Sequence, residues 1–231
     1  MQFFDPSILQ SGQYHEWLVQ GLILSLQLTA AAFVVALPFG ALLAVMRTSS
    51  IALLRAVGST IVEAIRNVPL LAHLLFWYFA FPELLPEAAR EFLYAHNPEA
   101  VCAVIALALY SGVHMAEDIR SGIRAVPASQ LEAARSLGLG RFASVRLVLL
   151  PQAFRASIPP LLSQTVNLWK DTSVATVIGA AELMYQAARV ETTTFRSVEA
   201  FTFATLAYLT VSLLISFAAW IFQRRYPVRP A

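Results

Sequence analysis

The sequence predicts an all-α integral membrane protein with five transmembrane helices, on three observations. Hydrophobic residues fill 58% of the 231 positions, charged residues only 13%, and the mean hydropathy is +0.65, well outside the balance of a soluble domain. Charge-free apolar runs recur along the chain, and the first exceeds the roughly 20 residues that ~30 Å of hydrocarbon requires. Basic residues gather in alternate segments between those runs. The whole chain, 1–231, reads as one membrane domain.

The first span is 17–46. Acidic residues (Asp5, Glu16) precede it and Arg47 follows it, which is the wrong order for a secretory signal, so the span is expected to be retained. Its Ala32, Ala36, Gly40 and Ala44 fall on one face, where another helix of this or a neighbouring chain can approach closely, and Pro38 should bend it. A second helix starts near Ile51 and crosses over 61–81, with Trp77 and Tyr78 at an aromatic belt and Pro82 as its end. The third span is 100–116. The fourth, 156–178, contains Pro159 and Pro160 and runs past Trp169-Lys170-Asp171, so it is expected to be irregular. The fifth is 200–223, anchored by Trp220 and Arg224-Arg225.

With the N-terminus outside and the C-terminus cytosolic, every basic residue except Arg90, Lys170, Arg189 and Arg196 falls in the cytosolic segments 47–66, 117–155 and 224–231. A net charge of +2, spread between apolar segments, excludes nucleic acid as a partner. Cys102 is the only cysteine, so an intrachain disulfide or multi-cysteine metal site is excluded. No metal-ligand spacing and no G-x-S-x-G elbow occurs.

The basic loop 117–155 carries the most informative pattern. Ser129-Gln130-Leu131-Glu132 reads as a capping box, starting a helix of about two turns at Gln130. Gly138 suits a left-handed C-terminal cap, and Ala133 and Ala134 permit close approach by another backbone. On spacing alone, the segment either turns the chain or docks a partner.

Glu132-Ala133-Ala134, three residues, Gly138, nine residues, then Val148-Leu149-Leu150-Pro151 resembles the EAA loop of ABC importer permeases, with Val148 where isoleucine is usual. Glu63-Ala64-Ile65-Arg66-Asn67-Val68-Pro69-Leu70-Leu71, Trp77-Tyr78-Phe79 and Asn167-Leu168-Trp169-Lys170-Asp171-Thr172-Ser173 are similar to signatures of the polar amino-acid permeases. Arg66-Asn67-Val68-Pro69 and Phe81-Pro82-Glu83-Leu84-Leu85-Pro86 look most like the glutamate/aspartate importers; many other relatives have Gly-Thr in place of Asn67-Val68.

The resemblance implies a type I permease fold in a bacterial cytoplasmic membrane. It implies a second permease subunit, a paralogue rather than a copy, a cytosolic ABC ATPase dimer, and an extracytoplasmic amino-acid-binding protein. Ser129, Glu132, Ala133, Ala134, Gly138 and Pro151 would form the ATPase-coupling helix and its support. ATP and Mg would bind the partner ATPase, with no cofactor in this chain. Independently, a Walker A loop needs Lys directly after Gly, and the single lysine, Lys170, follows Trp169.

Polar groups at membrane depth are candidates for the substrate pathway or its gate: Arg66, Asn67, Pro69, Lys170, Asp171, Thr172 and Ser173. Arg66 either snorkels or pairs with Glu63, or it meets substrate. Lys170 and Asp171 either neutralise each other or serve the pathway, a structural or gating role being favoured. The kink at Asn67 and Pro69 either lines a wet route or merely bends the span. His73 and His114 are expected to be packed or hydrogen-bonded. Permeases for glutamine, histidine or arginine are the alternatives in the same class. A self-contained channel or secondary transporter fits poorly without an inverted repeat, as does an intramembrane enzyme using His73 or His114 with Ser111.

Overall fold

The computed structural model describes residues 10–225, and every regular element among them is helical. Asp5 and Arg229, used above for signal and orientation, lie outside the described residues. Helix α1 (Gln13–Thr48) runs unbroken through Pro38, whose ring faces outward. Helix α5 (Pro98–Arg124) starts at Asn97, whose side chain accepts from the Ala100 amide at 3.2 Å, with Pro98 in the first turn.

These two helices form the spine. Ala32, Ala36, Gly40 and Ala44 are all buried, which settles the small-residue ladder as a contact within the chain. A Cβ on Gly40 would lie 2.6 Å from the Gly112 carbonyl oxygen, a backbone atom that cannot swing aside. Gly40→Val is therefore expected to force the helices apart, at the ~1–3 kcal/mol typical of overpacking, and so to lower the thermal midpoint of the purified chain; an unchanged midpoint would contradict this contact. The helices run parallel: residues 24–31 lie beside 97–105, Gly40 meets Gly112, and Arg47 pairs with Glu117.

Helix α2 (Ala52–Arg66) and the segment Leu70–Leu84 do not form the expected continuous span over 61–81; they meet at 97°. Pro69 forces the residue before it out of the helical region and ends α2. The Asn67 side chain donates to the Glu63 carbonyl at 2.8 Å, and His73 Nε2 lies 3.0 Å from the Ile65 carbonyl oxygen, so the break is supplied with partners. Beyond it come α3 (Leu70–Leu75), a π turn (Phe76–Ala80) and a 3₁₀ turn (Phe81–Leu84). A short α4 (Glu87–Ala95) then leads to α5.

After α5 the chain makes α6 (Ala128–Ser136), α7 (Arg141–Ser144), a π turn (Val145–Leu149) and α8 (Leu150–Asp171), then a 3₁₀ segment (Thr172–Ile178). Helix α8 runs antiparallel to α5, with Gly122 against Ser157 and Ala153. Helix α9 (Leu183–Thr194) packs on the start of α1, and α10 (Ser197–Arg225) leaves Leu209, Leu213 and Phe217 exposed. By length and apolarity α1, α5 and α10 can each cross a bilayer, and the bent pair supplies a fourth crossing if taken as one. The expected fourth span, 156–178, is helical but carries Lys170, Asp171 and two prolines, and it buries Leu168 and Trp169 while Ser163, Asn167 and Lys170 stay exposed. Trp17, Asn97 and Glu182 collect at one end of the bundle; Arg47, Glu117 and α6 lie toward the other.

Candidate functional site

Helix α6 begins two residues earlier than the sequence expectation. Pro127 precedes its first residue and accepts from the Gln130 amide at 3.1 Å, so Ser129 sits inside the first turn and no capping box forms. Proline's fixed φ already suits the helix entry, which is why the helix starts at Ala128. The C-terminal cap is as expected. Gly138 has φ +82°, its amide donates to the Arg135 carbonyl at 2.9 Å, and the Leu139 amide donates to the Ala134 carbonyl at 3.1 Å, the pairing of a Schellman motif.

This cap fixes what α6 shows to its surroundings. Ala134 is buried against the rest of the loop, while Glu132 and Ala133 are exposed. Beside them stand two large apolar side chains, Leu137 at 83% and Phe142 at 77% exposure. Sequence reasoning did not single these two out; an apolar residue next to the cap glycine and another four residues on was the available signal. A free acid, a small residue and two protruding apolar groups make a surface suited to a protein partner.

Pro151 explains the π turn. Its ring clashes with the carbonyl four residues back and offers that carbonyl no amide, and the wide turn at Val145–Leu149 relieves the clash. Helical structure therefore continues over 141–171, a rod of ~45 Å at 1.5 Å per residue.

The far end of the rod lines a polar pocket of about 350 Å³ formed by Tyr110, His114, Gln164, Asn167, Lys170 and Asp171. Lys170 is exposed and Asp171 half-buried, so the pocket offers both charges, two amides and a phenol. His114 Nε2 is buried and has no hydrogen-bond partner among the described residues. Both histidines were expected to be packed or hydrogen-bonded: the His114 ring packs edge-on against Tyr110, and His73 is bonded to the Ile65 carbonyl oxygen.

The remaining predicted pathway residues do not line this pocket. Thr172 is buried and donates to the Trp169 carbonyl at 2.8 Å, and Ser173 donates to the Lys170 carbonyl at 2.8 Å, so both close the helix end beneath it. Arg66, Asn67 and Pro69 sit at the α2 break, where Arg66 is exposed. Glu63, its expected partner, instead lies 3.8 Å from Arg47 and accepts from the Asn67 side chain. The break still reaches the pocket, because the His73 ring packs 6.0 Å from Tyr110, and Tyr110 packs 4.8 Å from His114.

Residues 36–227 match the family described as binding-protein-dependent transport system inner membrane component. The chain is 31% identical to the glutamate/aspartate import permease protein GltJ of Escherichia coli (strain K12), over 96% of this chain and 92% of that one. It is 34% identical to the glutamate/aspartate import permease protein GltK of Escherichia coli O6:H1, over 97% and 99%. A probable glutamine ABC transporter permease protein, GlnP of Bacillus subtilis, is 32% identical over 95% and 96%. A solved amino acid ABC transporter with histidines superposes with a TM-score of 0.81 at 34% identity, covering 92% of this chain and 95% of that chain.

Proposed function

The chain belongs to the family of binding-protein-dependent transport system inner membrane components, and on that premise we propose that it is the membrane permease of an ATP-driven amino-acid importer, specific for glutamate and aspartate. It works in a bacterial inner membrane with a paralogous permease, a cytosolic ATPase dimer that holds ATP and Mg, and an external binding protein. One observation carries this reading: an exposed capped helix, α6, stands at one end of a helical rod whose other end lines a two-signed polar pocket.

In this reading Glu132, Ala133, Leu137 and Phe142 meet the ATPase, while Ala134 and Gly138 serve the fold of α6. Closure of the ATPase pair moves α6, and the rod over 141–171 carries that displacement to the pocket. The chemistry of the pocket suits a free amino acid. Asp171 faces the ammonium group and Lys170 the α-carboxylate, with Asn167, Gln164 and Tyr110 supplying hydrogen bonds. Because Lys170 reads the carboxylate common to all amino acids, Lys170→Ala is expected to weaken glutamate and aspartate transport alike, by roughly tenfold in KM for the loss of a charge-assisted bond. Glutamate uptake unaffected by Lys170→Ala would remove the lysine from the pathway.

Substrate choice is tested by reconstituting the chain with its co-purified partners and competing labelled glutamate uptake with aspartate, glutamine, arginine and histidine. Competition by aspartate is expected. Competition by arginine or histidine alone would overturn the acidic-substrate reading.

A further inference from the structure

Glu182 has no part in the pocket or in α6, yet it is fully buried. Burying a carboxylate is costly unless its oxygens are satisfied, and here they are satisfied without a cation. Oε1 accepts from the Tyr185 amide at 2.8 Å and Oε2 from the Met184 amide at 3.0 Å, which caps α9. Oε2 also accepts from the Ser25 hydroxyl of α1 at 3.2 Å and from the Tyr208 hydroxyl of α10 at 2.7 Å. The Ser25 oxygen in turn accepts from the Leu183 amide at 3.1 Å.

Capping α9 needs only a short acceptor such as Ser or Asp. The longer glutamate does more, since it joins the consecutive helices α9 and α10 to α1, which is distant in sequence. The connection continues: the Tyr208 carbonyl accepts from the indole N–H of Trp169 at 3.1 Å, and the two rings pack at 5.0 Å. Trp169 is fully buried and immediately precedes Lys170 and Asp171.

We propose that Glu182 is a positioning residue for the polar pocket: it fixes α10 against α1 and α9 through Tyr208 and Ser25, and Trp169 conveys that register to Lys170 and Asp171. This rests on the pocket being the amino-acid route. Rearrangement of the bundle during transport would change the pocket through this chain of contacts, and a loosened chain would leave the pocket poorly shaped.

Tyr208→Phe is the cleanest test, because it keeps the ring against Trp169 and both caps on α9 while removing one bond to Glu182. In the reconstituted importer it is expected to raise the KM for glutamate roughly fivefold, equivalent to ~1 kcal/mol, with Vmax per inserted complex unchanged. Glu182→Gln should act in the same direction, and the double variant should be no worse than the more impaired single one. A KM unchanged in Tyr208→Phe, whether or not Vmax falls in step with the amount of folded protein, overturns the proposal. A second readout stands apart from transport: in the full chain with Trp17, Trp77 and Trp220 replaced by Phe, Tyr208→Phe should shift the Trp169 emission. Unchanged emission also overturns it, whereas wild-type protein that shows no saturable uptake would instead reject the function proposed above.

Discussion

Gly138→Val is expected to lower ATP-driven uptake by more than roughly tenfold while leaving membrane insertion intact, a loss of coupling worth at least ~1.4 kcal/mol. The cause is backbone conformation, not space. Gly138 holds φ +82°, and a Cβ there would meet nothing within 4 Å. A β-branched residue is a genuine outlier in that region, so the chain would leave it and lose the bonds from Gly138 and Leu139 to the Arg135 and Ala134 carbonyls. Leu137 and Phe142, displayed on either side of the cap, would then point elsewhere. Gly138→Asn, which tolerates the left-handed region, should keep most of the uptake. Glu132→Lys tests the same surface by charge, because the carboxylate is exposed and serves no cap. Normal ATP-driven uptake by both Gly138→Val and Glu132→Lys would reject α6 as the coupling helix.

Asp171→Leu should produce the second large effect, a rise in the KM for every transported amino acid by roughly tenfold or more, the scale of losing a charge-assisted hydrogen bond. ATP hydrolysis in the absence of substrate should be unchanged, since α6 lies at the other end of the rod. Asn167→Leu, one helical turn away on the same pocket wall, should act in the same sense and more weakly, because a neutral amide forms the weaker bond. An unaltered KM in Asp171→Leu would show that the pocket is not on the substrate route.

How much of this was legible in the sequence depends on whether a feature is local. The spans around 17–46, 100–116 and 200–223 follow from unbroken apolar runs, which need no tertiary information. The ladder at Ala32, Ala36, Gly40 and Ala44 announced a close contact but not its partner, since only the folded chain brings Gly112 to Gly40. Gly138 was readable because a left-handed cap favours glycine, a preference set by the local backbone alone. Ser129 misled because two local signals competed, and Pro127 set the helix start ahead of the hydroxyl. The segment 61–81 misled because hydropathy does not register the direction of the chain on either side of Pro69.

The pocket was half legible. Lys170 and Asp171 stood out as charges at membrane depth, and their neighbours Gln164 and Asn167 share their helix face by spacing. Tyr110 and His114 come from α5, a different helix, and nothing in either local sequence indicates that they face α8. Glu182 could not have been found at all, because its meaning lies in Ser25 and Tyr208, each from a distant part of the chain.

The central claim is that an external ATPase drives this membrane chain through α6. It is tested most directly by labelled glutamate uptake into proteoliposomes holding the chain with its co-purified permease and ATPase partners, with binding protein supplied outside. Accumulation is predicted only with ATP enclosed in the lumen, and is predicted to be lost in Gly138→Val. Equal accumulation with and without ATP would contradict the claim.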